Sequence, residues 1–250
     1  MDTVVERVQL IRGGDMPRAG ESLARRIHDR IWHDLVTWRF KPSDILVEDR
    51  LADEFGTSRT PVRESLKRLT EEGFLRVVPR TGYVVLPVTL GDVHEAIHLR
   101  LLLECEAAAL AAMRLTDEVR KDLESWWTEF ERALRAHGDE LDATEVGIVI
   151  LGLHVAIARA SGSRRLADVI DAQVRQTTRE MLHPGAIVSL EFVVRDHRVL
   201  LDAVLSGDPE RARSTMARHF EAHRDRLLEA VISEPEKTHV GLGAATTRQR

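Results

Sequence analysis

Apolar residues recur every three or four positions in three early segments of the chain, a spacing that places them on one face of a helix. The predicted helices span residues 23–37, residues 48–55, and a segment that begins after Ser58 and ends before Gly73. The turn between the second and third helices is short and holds Gly56, a residue type that commonly ends helices. Two short β-rich runs follow, LRVV and YVVL, separated by PRTG, and together they predict a β-hairpin.

Beyond Thr89 the helical pattern continues through most of the remaining chain. Six helical segments are predicted, with glycine, serine or proline between most of them. They cover residues 92–115, 116–137, 141–160, 164–182, 189–205 and 208–232. Asp208 followed by Pro209 is a strong start signal, because a proline in the first turn has no helical hydrogen bond to lose. Helices of this length joined by short connections predict an antiparallel bundle.

The change of pattern near residue 90 divides the chain into two domains. The predicted fold is mainly α: an N-terminal winged helix-turn-helix of three helices and a β-hairpin wing, followed by an all-α bundle of six or seven helices. The two domains are placed at residues 21–89 and 90–233. Residues 1–20 and 234–250 are predicted to be flexible segments.

Charge is unevenly distributed over the 250 residues. The chain carries 36 Lys and Arg against 41 Asp and Glu, a net charge of −5, which argues against general coating of nucleic acid. The stretch from Ser58 to Arg80 is an exception, with six Lys or Arg and three Glu. Residues 90–233 carry 18 basic and 25 acidic residues, a net charge of −7. A contact with DNA is therefore expected from the N-terminal domain alone.

The sequence indicates neither a membrane span nor export. No apolar run approaches the roughly 20 residues needed to cross a bilayer, and the N-terminus lacks the apolar core of a signal peptide. The single cysteine, Cys105, cannot form an internal disulfide, which fits a reducing compartment. We therefore expect a cytoplasmic protein without a membrane partner.

The third predicted helix combines an apolar stripe with a basic face. Arg59, Arg63 and Lys67 recur every four residues, about a quarter turn from the apolar stripe. Guanidinium groups at this spacing suit contacts to phosphates and to guanine edges in a major groove. A solvated charged helix in a small α/β domain is the alternative. Arg80 at the hairpin tip favours DNA binding, because it has few structural roles there and could reach the DNA backbone or the minor groove.

The segment ILVEDRLADEFGTSRTPVRESLKRLTEEGFLRVVPRTGYVVLPV closely resembles the winged helix-turn-helix of the GntR family of bacterial transcription regulators. The order LA, SRTPVRE, EGFL and GY is far more specific than a general helix-turn-helix pattern, and Thr81 is a minor departure from it. The resemblance implies that Gly82 lets the wing approach DNA, and it makes Arg50 and Arg80 weaker candidates. It also implies that four residues of the recognition helix face DNA, namely Ser58, Arg59, Thr60 and Arg63.

Three histidines lie on apolar stripes of separate helices in the second domain. His154, His197 and His219 each continue a row of inward-facing apolar residues. A single histidine in such a position is usually a hydrogen-bonded core residue, but three in one bundle can converge on a metal ion. Imidazole suits zinc and other transition ions. His223 shares the His219 face one turn further on and is a candidate substitute ligand or outer partner.

Arg100 and Glu104 form another inward-facing polar pair, on the first helix of the second domain. A buried guanidinium needs a carboxylate partner. Glu104 can be that partner, one helical turn away, or Arg100 can bind the carboxylate of a small ligand through two parallel hydrogen bonds. Both residues are therefore candidates for an effector site.

The second domain resembles the effector domain of the FadR subgroup of the GntR family, a ligand-binding bundle of six or seven helices. The likeness covers roughly residues 92–231 and rests on LRLLLECEAAALAA, LHVAIARASGS and DHRVLLDAVLSGDPERARSTMARHF. It implies a divalent transition metal, such as zinc or nickel, on His154, His197 and His219, and small organic acids as effectors. Many members add an Asp or Asn where this chain has Ile150. Three protein ligands then remain, and water or an effector carboxylate would complete the site.

Three functions are compatible with these features. The first is a ligand-responsive transcription regulator, a repressor that binds a palindromic operator as a homodimer and is released or modulated by a small carboxylate effector. Trp126 and Trp127 are adjacent and hence on different faces, so one of them is a candidate for the dimer interface. The second function is a metal sensor, with the ion as effector. The third is a hydrolase with a three-histidine metal site, although no familiar catalytic motif accompanies the histidines.

Overall fold

The structure of the chain, a computed structural model, describes residues 22–137, 143–183 and 189–233. The two terminal segments predicted to be flexible, and the predicted start of a helix at Leu141, lie outside these residues. Within them the predicted fold class is confirmed. The chain is mainly helical, with a helix-turn-helix and a small antiparallel sheet first and a helical bundle after it.

The N-terminal domain contains three helices and three strands among the described residues. The helices are α1 (Leu23–Val36), α2 (Glu48–Glu54) and α3 (Arg59–Glu71), and the strands are β1 (Ile45–Leu46), β2 (Leu75–Val78) and β3 (Gly82–Val85). The strands pair antiparallel in the order β1-β3-β2, and Val77 lies opposite Tyr83 in the hairpin. The sequence predicts the hairpin but not β1, because a two-residue strand is too short to show alternation.

Packing of α1 against α3 fixes the position of α3, the helix that carries the basic face. The predicted apolar stripe of α3 is fully buried and meets the buried stripe of α1; the two stripes include Val62, Leu66 and Leu69 on α3 and Ile31 and Leu35 on α1. Ser65 lies in the same interface, with its hydroxyl within hydrogen-bond distance of two backbone carbonyls. Ser58 occupies the N-cap position of α3, as predicted, although its side chain makes no capping hydrogen bond.

Gly82 is required where the wing lies against β1. Its φ of 132° belongs to the region that favours glycine. A Cβ at this position would lie 2.5 Å from the carbonyl oxygen of Leu46, a backbone atom that cannot give way without moving the strand. Arg80, at the wing tip, also has a left-handed φ, of 63°, and its side chain is exposed.

Seven helices form the second domain in the described part of the chain. They are α4 (Leu90–Met113), α5 (Asp117–His137), α6 (Ala143–Ala160), α7 (Arg164–Gln176), α8 (Thr178–Met181), α9 (Leu190–Leu205) and α10 (Pro209–Ser233). The prediction of one continuous helix over residues 164–182 is wrong, because the chain breaks at Thr177. Thr177 leaves the helical geometry, with φ −98° and ψ 8°. Thr177 and Thr178 also donate their hydroxyls to carbonyls one turn back, at 2.7 and 2.5 Å, a contact that tends to bend helices.

The helix α6 is the core helix of the bundle. It is long and apolar enough to cross a membrane by composition alone, but 67% of it is buried inside the bundle. It packs against α4, α5, α7 and α9, while α4 and α10 pack along each other. Polar side chains on the inner faces of these helices therefore meet in a shared interior.

The two domains contact each other through α1, the segment after β3, and the region of α7 and α8. Arg175 on α7 pairs with Asp29 on α1 at 3.1 Å. Arg179 on α8 donates from Nη1 to the carbonyl of Leu86 at 2.5 Å, and its Cζ lies 5.0 Å from the ring centroid of Trp38. The buried Arg179 thus belongs to the bundle but holds the backbone of the N-terminal domain.

Candidate functional site

The basic face of α3 is exposed, as the spacing of its cations predicts. Six of the seven predicted DNA contacts are exposed, and the seventh, Gly82, is half-buried. The six exposed residues are Arg50, Ser58, Arg59, Thr60, Arg63 and Arg80. They lie on the first turn of α2, at the start of α3 and at the wing tip. Their contact with DNA stays a prediction.

Two acidic residues of α2 pair with the arginines of this face. Arg63 donates from Nε to both carboxylate oxygens of Glu48 at 3.0 Å, and from Nη2 to Oε2 at 2.8 Å. Tyr83 of the wing donates its hydroxyl to Oε1 of the same carboxylate at 3.4 Å. Arg59 forms an ion pair with Asp49. The hydrogen bonds from Arg63 hold the pKa of Glu48 below its usual value, so this carboxylate is ionised at neutral pH.

Sequence reasoning missed Glu48 and Asp49 as members of this surface. Acidic residues in the first turn of a helix are expected from the helix dipole alone, so their presence carries no special signal. Glu48 and Arg63 lie 15 positions apart. Only the packing of α2 against α3 brings them together.

The three predicted metal ligands meet inside the bundle. His154 of α6, His197 of α9 and His219 of α10 place their candidate ligand atoms within 4.8 Å of one another. The Nε2 atoms of His154 and His197 are 3.3 Å apart. All three side chains are buried. Three residues that are distant in the sequence therefore share one buried point.

Each of these histidines is anchored through Nδ1 to an acceptor behind it. The distances from Nδ1 to the acceptor oxygen are 2.6 Å for His154 and Glu104, 2.8 Å for His197 and the Val193 carbonyl, and 2.7 Å for His219 and Asp196. Proteins that hold a metal through Nε2 commonly fix the opposite N–H in this way. With the proton on Nδ1, each Nε2 keeps a lone pair for a metal.

Burial keeps two of these imidazoles, His154 and His197, neutral. It lowers the pKa of His154 to about 4 despite the neighbouring carboxylate of Glu104, and it lowers the pKa of His197 well below its usual value. Neutral imidazole is the form that coordinates a metal. Three Nε2 donors with anchored Nδ1 atoms therefore fit a transition ion such as zinc or nickel.

Arg100 and Glu104 form the internal pair that the sequence allows. Nε of Arg100 donates to Oε1 of Glu104 at 2.6 Å, and both side chains are 1% exposed. Burial alone would raise the pKa of Glu104, but Arg100 and His154 lower it to about 2. Nη2 of Arg100 has no hydrogen-bond partner among the described residues. Glu104 is therefore engaged on both oxygens, whereas Arg100 keeps a buried donor for a ligand.

A cavity of about 50 Å³ lies beside the histidine cluster. Its polar lining consists of Arg100, His154, Asp196, His197, His219, His223 and Arg226. Ile150 also lines it, at the position where the family resemblance usually places a carboxylate. Glu104 lies behind His154 and is not part of this lining. Since one water needs roughly 10–15 Å³ on this scale, the cavity holds a few waters or a short organic ligand.

His223 and Asp196 have outer roles around the cluster. Nε2 of His223 lies 3.0 Å from the carbonyl of Met181, and its Nδ1 lies 3.4 Å from Nη2 of Arg226. Both of its nitrogens are engaged, so His223 is not a substitute ligand in this arrangement. Burial lowers its pKa to about 3. Asp196, which sequence reasoning missed, supports His219 from the neighbouring helix, and its position in the sequence gives no sign of that role.

A winged helix-turn-helix joined to a bundle with histidines and arginines along one cavity defines a two-domain transcription regulator. The family described as "Bacterial regulatory proteins, gntR family" matches residues 23–85, and the "FCD domain" matches residues 95–222. The chain therefore belongs to the GntR family and carries an FCD domain, which confirms the family predicted from the resemblance. Members of this family are transcription regulators rather than enzymes, and the hydrolase alternative is set aside.

Similar proteins match over most of this chain. The "HTH-type transcriptional regulator McbR" of Escherichia coli is 32% identical over 212 residues, covering 81% of this chain and 93% of that protein. The solved structure of "E. coli McbR/YncC" superimposes with a TM-score of 0.67 at 24% identity, over 84% of this chain and 98% of that one. A "Probable D-xylose utilization operon transcriptional repressor" of Paenarthrobacter nicotinovorans is 26% identical over 202 residues, covering 81% of this chain and 87% of that protein.

Proposed function

We propose that this regulator is a repressor that binds a palindromic operator as a homodimer and responds to a small carboxylate effector, with a divalent transition metal held in the bundle. The observation that carries the proposal is the convergence of three buried imidazoles beside Arg100 in one cavity. The buried Nη2 of Arg100 has no partner in the described part of the chain. Buried donors of this kind are expected to meet a ligand.

The metal would be held by Nε2 of His154, His197 and His219. Because Ile150 offers no ligand atom, the protein would supply three imidazole donors, and a tetrahedral ion would keep at least one position open. The ion would supply positive charge and a position for a carboxylate oxygen. An effector carboxylate, rather than a side chain, would then be the anionic ligand of this site.

The charges around the cavity favour an anionic effector. Arg100 and Arg226 are balanced by Glu104 and Asp196, and burial holds the pKa of His154 low enough to keep it neutral. A divalent cation would add two uncompensated charges to a buried space, which an anion relieves. Arg100 would bind the carboxylate through Nη2, and the small volume limits the effector to a short acid.

Calorimetric titration with zinc and with nickel tests the metal site. We expect the wild-type protein to bind one ion per chain and His154→Gln to lose that binding. His223→Gln is the matched control, because His223 lines the same cavity but points its Nε2 at the Met181 carbonyl. Absence of binding to the wild type, or equal binding by His154→Gln, would show that the histidines are core residues only.

The effector is tested with a panel of short mono- and dicarboxylates, with and without zinc, by thermal unfolding. Metal and carboxylate should strengthen each other's binding by the same factor, because coupling between two ligands is reciprocal. Arg100→Met should remove the response to the carboxylate. A carboxylate response that is unchanged in Arg100→Met would exclude Arg100 as the effector contact.

The small cavity favours metal sensing as the second candidate function. A space of about 50 Å³ can be filled by an ion and its waters alone. Titration of operator binding with zinc in the absence of any organic acid separates the two functions. If zinc alone switches operator binding, the ion is the effector.

The DNA contact is tested by Arg63→Ala. A guanidinium paired with guanine contributes about 1–3 kcal/mol of discrimination, so we expect operator binding to weaken by one to two orders of magnitude. Helical content by circular dichroism should not change, because Arg63 is exposed. Unchanged binding in a gel-shift titration at physiological salt would contradict the assignment.

The similarity to a relative named as a repressor supports repression. A regulator of chromosomal operators works in the cytoplasm.

A homodimer is supported by the short reach of one winged domain, since useful specificity needs two half-sites. The bundle exposes large apolar side chains, among them Leu99 and Leu102 on α4. Trp127 lies in the core, whereas Trp126 is half-buried and is the better candidate for an interface. Light scattering at micromolar concentration should return twice the mass of one chain. A single-chain mass would contradict the dimer.

A further inference from the structure

Glu48 is the first residue of α2, but its carboxylate is committed to α3 and the wing. It accepts three N–H···O contacts from one edge of the Arg63 guanidinium, at 2.8 to 3.0 Å, and a fourth contact from the Tyr83 hydroxyl at 3.4 Å. The Glu48 side chain is 22% exposed, whereas that of Arg63 is 62% exposed. One carboxylate of α2 therefore contacts both α3 and β3, beneath an exposed guanidinium.

The pair determines which edge of Arg63 is available to DNA. Nε and Nη2 bind Glu48, while Nη1 makes no hydrogen bond within the described residues. A guanidinium is planar, so a partner on one edge sets the direction of the other edge. Holding a side chain in one orientation also removes part of the entropy that it would lose on binding. The outer edge of the Arg63 guanidinium is therefore already oriented before any DNA binds.

We infer that Glu48 is a positioning and specificity-determining residue of the DNA interface, acting through Arg63. The inference rests on the proposed contact between Arg63 and DNA. On the correct sequence, the outer edge of Arg63 makes its base contact while Glu48 keeps the inner edge. On other sequences that contact is missing, and the carboxylate lies near phosphates whose like charge opposes binding. Glu48 therefore raises specific affinity and lowers non-specific affinity.

Asp49 is a matched comparison in the same turn of α2. It pairs with Arg59, but the Arg59 and Asp49 side chains are 65% and 54% exposed, and within the described residues no wing side chain shares the carboxylate. Exposed pairs of this kind contribute little and exchange readily with water. Asp49→Asn removes the same charge from the same surface. It leaves the Arg63 guanidinium bound to Glu48.

The test measures the affinity of the full-length protein for two duplexes by fluorescence anisotropy. One duplex is selected by the wild type from random sequences, and the other is a mixed-sequence duplex of equal length. We expect Glu48→Gln to lower the ratio of the two affinities about tenfold, and Asp49→Asn to change it by less than about threefold. In an Arg63→Ala background, Glu48→Gln should leave the ratio unchanged, as a double-mutant cycle requires of a residue that acts through Arg63.

Each outcome distinguishes the inference from the proposed contact on which it rests. If Arg63→Ala weakens binding but Glu48→Gln keeps the wild-type ratio, the inference is overturned and the contact stands. Equal tightening on both duplexes also overturns the inference, because Glu48 would then act only as a general charge. Wild-type binding by Arg63→Ala overturns the contact and the inference together.

Circular dichroism checks that each variant is folded, and a second variant covers the case in which Glu48→Gln is not. Tyr83→Phe removes only the hydroxyl that supports Glu48. It should lower the affinity ratio in the same direction by a smaller factor. A Tyr83→Phe ratio equal to wild type, with Glu48→Gln unfolded, counts against the inference.

Discussion

The chain contains two arginine–glutamate pairs with the same chemistry in opposite environments. Arg63 and Glu48 meet at 2.8 Å on the surface of the N-terminal domain, and Arg100 and Glu104 meet at 2.6 Å in the interior of the bundle. The distances are almost equal, but water, salt and DNA phosphates can compete for the first pair and not for the second. Access to competing partners, more than geometry, therefore decides what each pair can do.

The buried pair also contacts a candidate metal ligand, His154. The second oxygen of Glu104 binds Nδ1 of His154 at 2.6 Å, so the same carboxylate that neutralises Arg100 orients a candidate metal ligand. The exposed pair also contacts the wing, through the Tyr83 hydroxyl. A change in the buried pair should alter the free energy of unfolding and the cavity. A change in the exposed pair should mainly alter DNA binding.

The largest expected effect is the loss of the buried carboxylate. Glu104→Ala leaves Arg100 charged and unpaired and His154 without an acceptor, which should lower the free energy of unfolding by about 3 to 5 kcal/mol. Glu106→Ala, two residues along α4, is the matched control because Glu106 pairs with Arg213 at the surface; its expected cost is about 1 kcal/mol or less. Urea unfolding measures the free energy of unfolding of both variants. Similar losses in the two would contradict the distinction between the buried and the exposed pair.

An intermediate effect is expected at His28, a buried ring whose partners water can reach. Its two nitrogens lie 3.0 Å from Asp29 and 2.9 Å from Glu72. Burial lowers the pKa of His28, but the hydrogen bonds to the two carboxylates outweigh it and raise the pKa above the ordinary 6.5. A raised folded-state pKa gives stabilisation that is complete below the unfolded value and is lost as pH rises through the folded value.

His28→Gln should therefore lower the free energy of unfolding by about 1 to 2 kcal/mol at acidic pH, where the imidazolium bonds two carboxylates. The difference from wild type should shrink as the pH rises past the folded pKa. Urea titrations of both proteins from pH 5.5 upward, about one unit below the ordinary histidine value, follow this change. A difference that stays constant with pH would mean that protonation of His28 contributes nothing.

The smallest effect on stability is expected for the exposed pair. Glu48→Gln should change the free energy of unfolding by about 0.5 kcal/mol or less, and added salt should reduce even that difference. Thermal and urea unfolding at low and high salt provide the measurement. A loss of several kcal/mol would show that the pair holds α2 against α3, and the contrast with Arg100 and Glu104 would fail.

Apolar spacing predicts most of the helices and places the three histidines on inward faces, from which they can converge. Each histidine occupies an inward position of its own helix, and inward positions of a small bundle share one interior. The break at Thr177 could not be predicted in this way, because apolar spacing does not show a local change of backbone dihedral angles. Nor could β1, whose two residues pair with β3 only after the wing has folded back.

Most partners of the charged residues could not be predicted from the sequence. Arg100 and Glu104 are one turn apart and were predicted as a pair. Glu104 and His154 are 50 positions apart, and their contact depends on how α4 and α6 cross. Periodicity shows which face of a helix is buried, but it does not show which polar groups on two such faces will lie opposite each other.

The short helix α8 connects the cavity wall to the N-terminal domain. Met181 lines the cavity, and Arg179, two residues earlier in the same turn, holds the Leu86 carbonyl of the other domain. Residues of one helical turn move together, so a shift of Met181 also shifts the point on which the N-terminal domain rests. For a rigid arm about 20 Å long, the length of a helix of about 14 residues, a tilt of roughly 10° moves the far end by about 3.5 Å, close to the rise of one base pair. A small movement at the cavity wall would therefore be enough to displace the N-terminal domain by about the rise of one base pair.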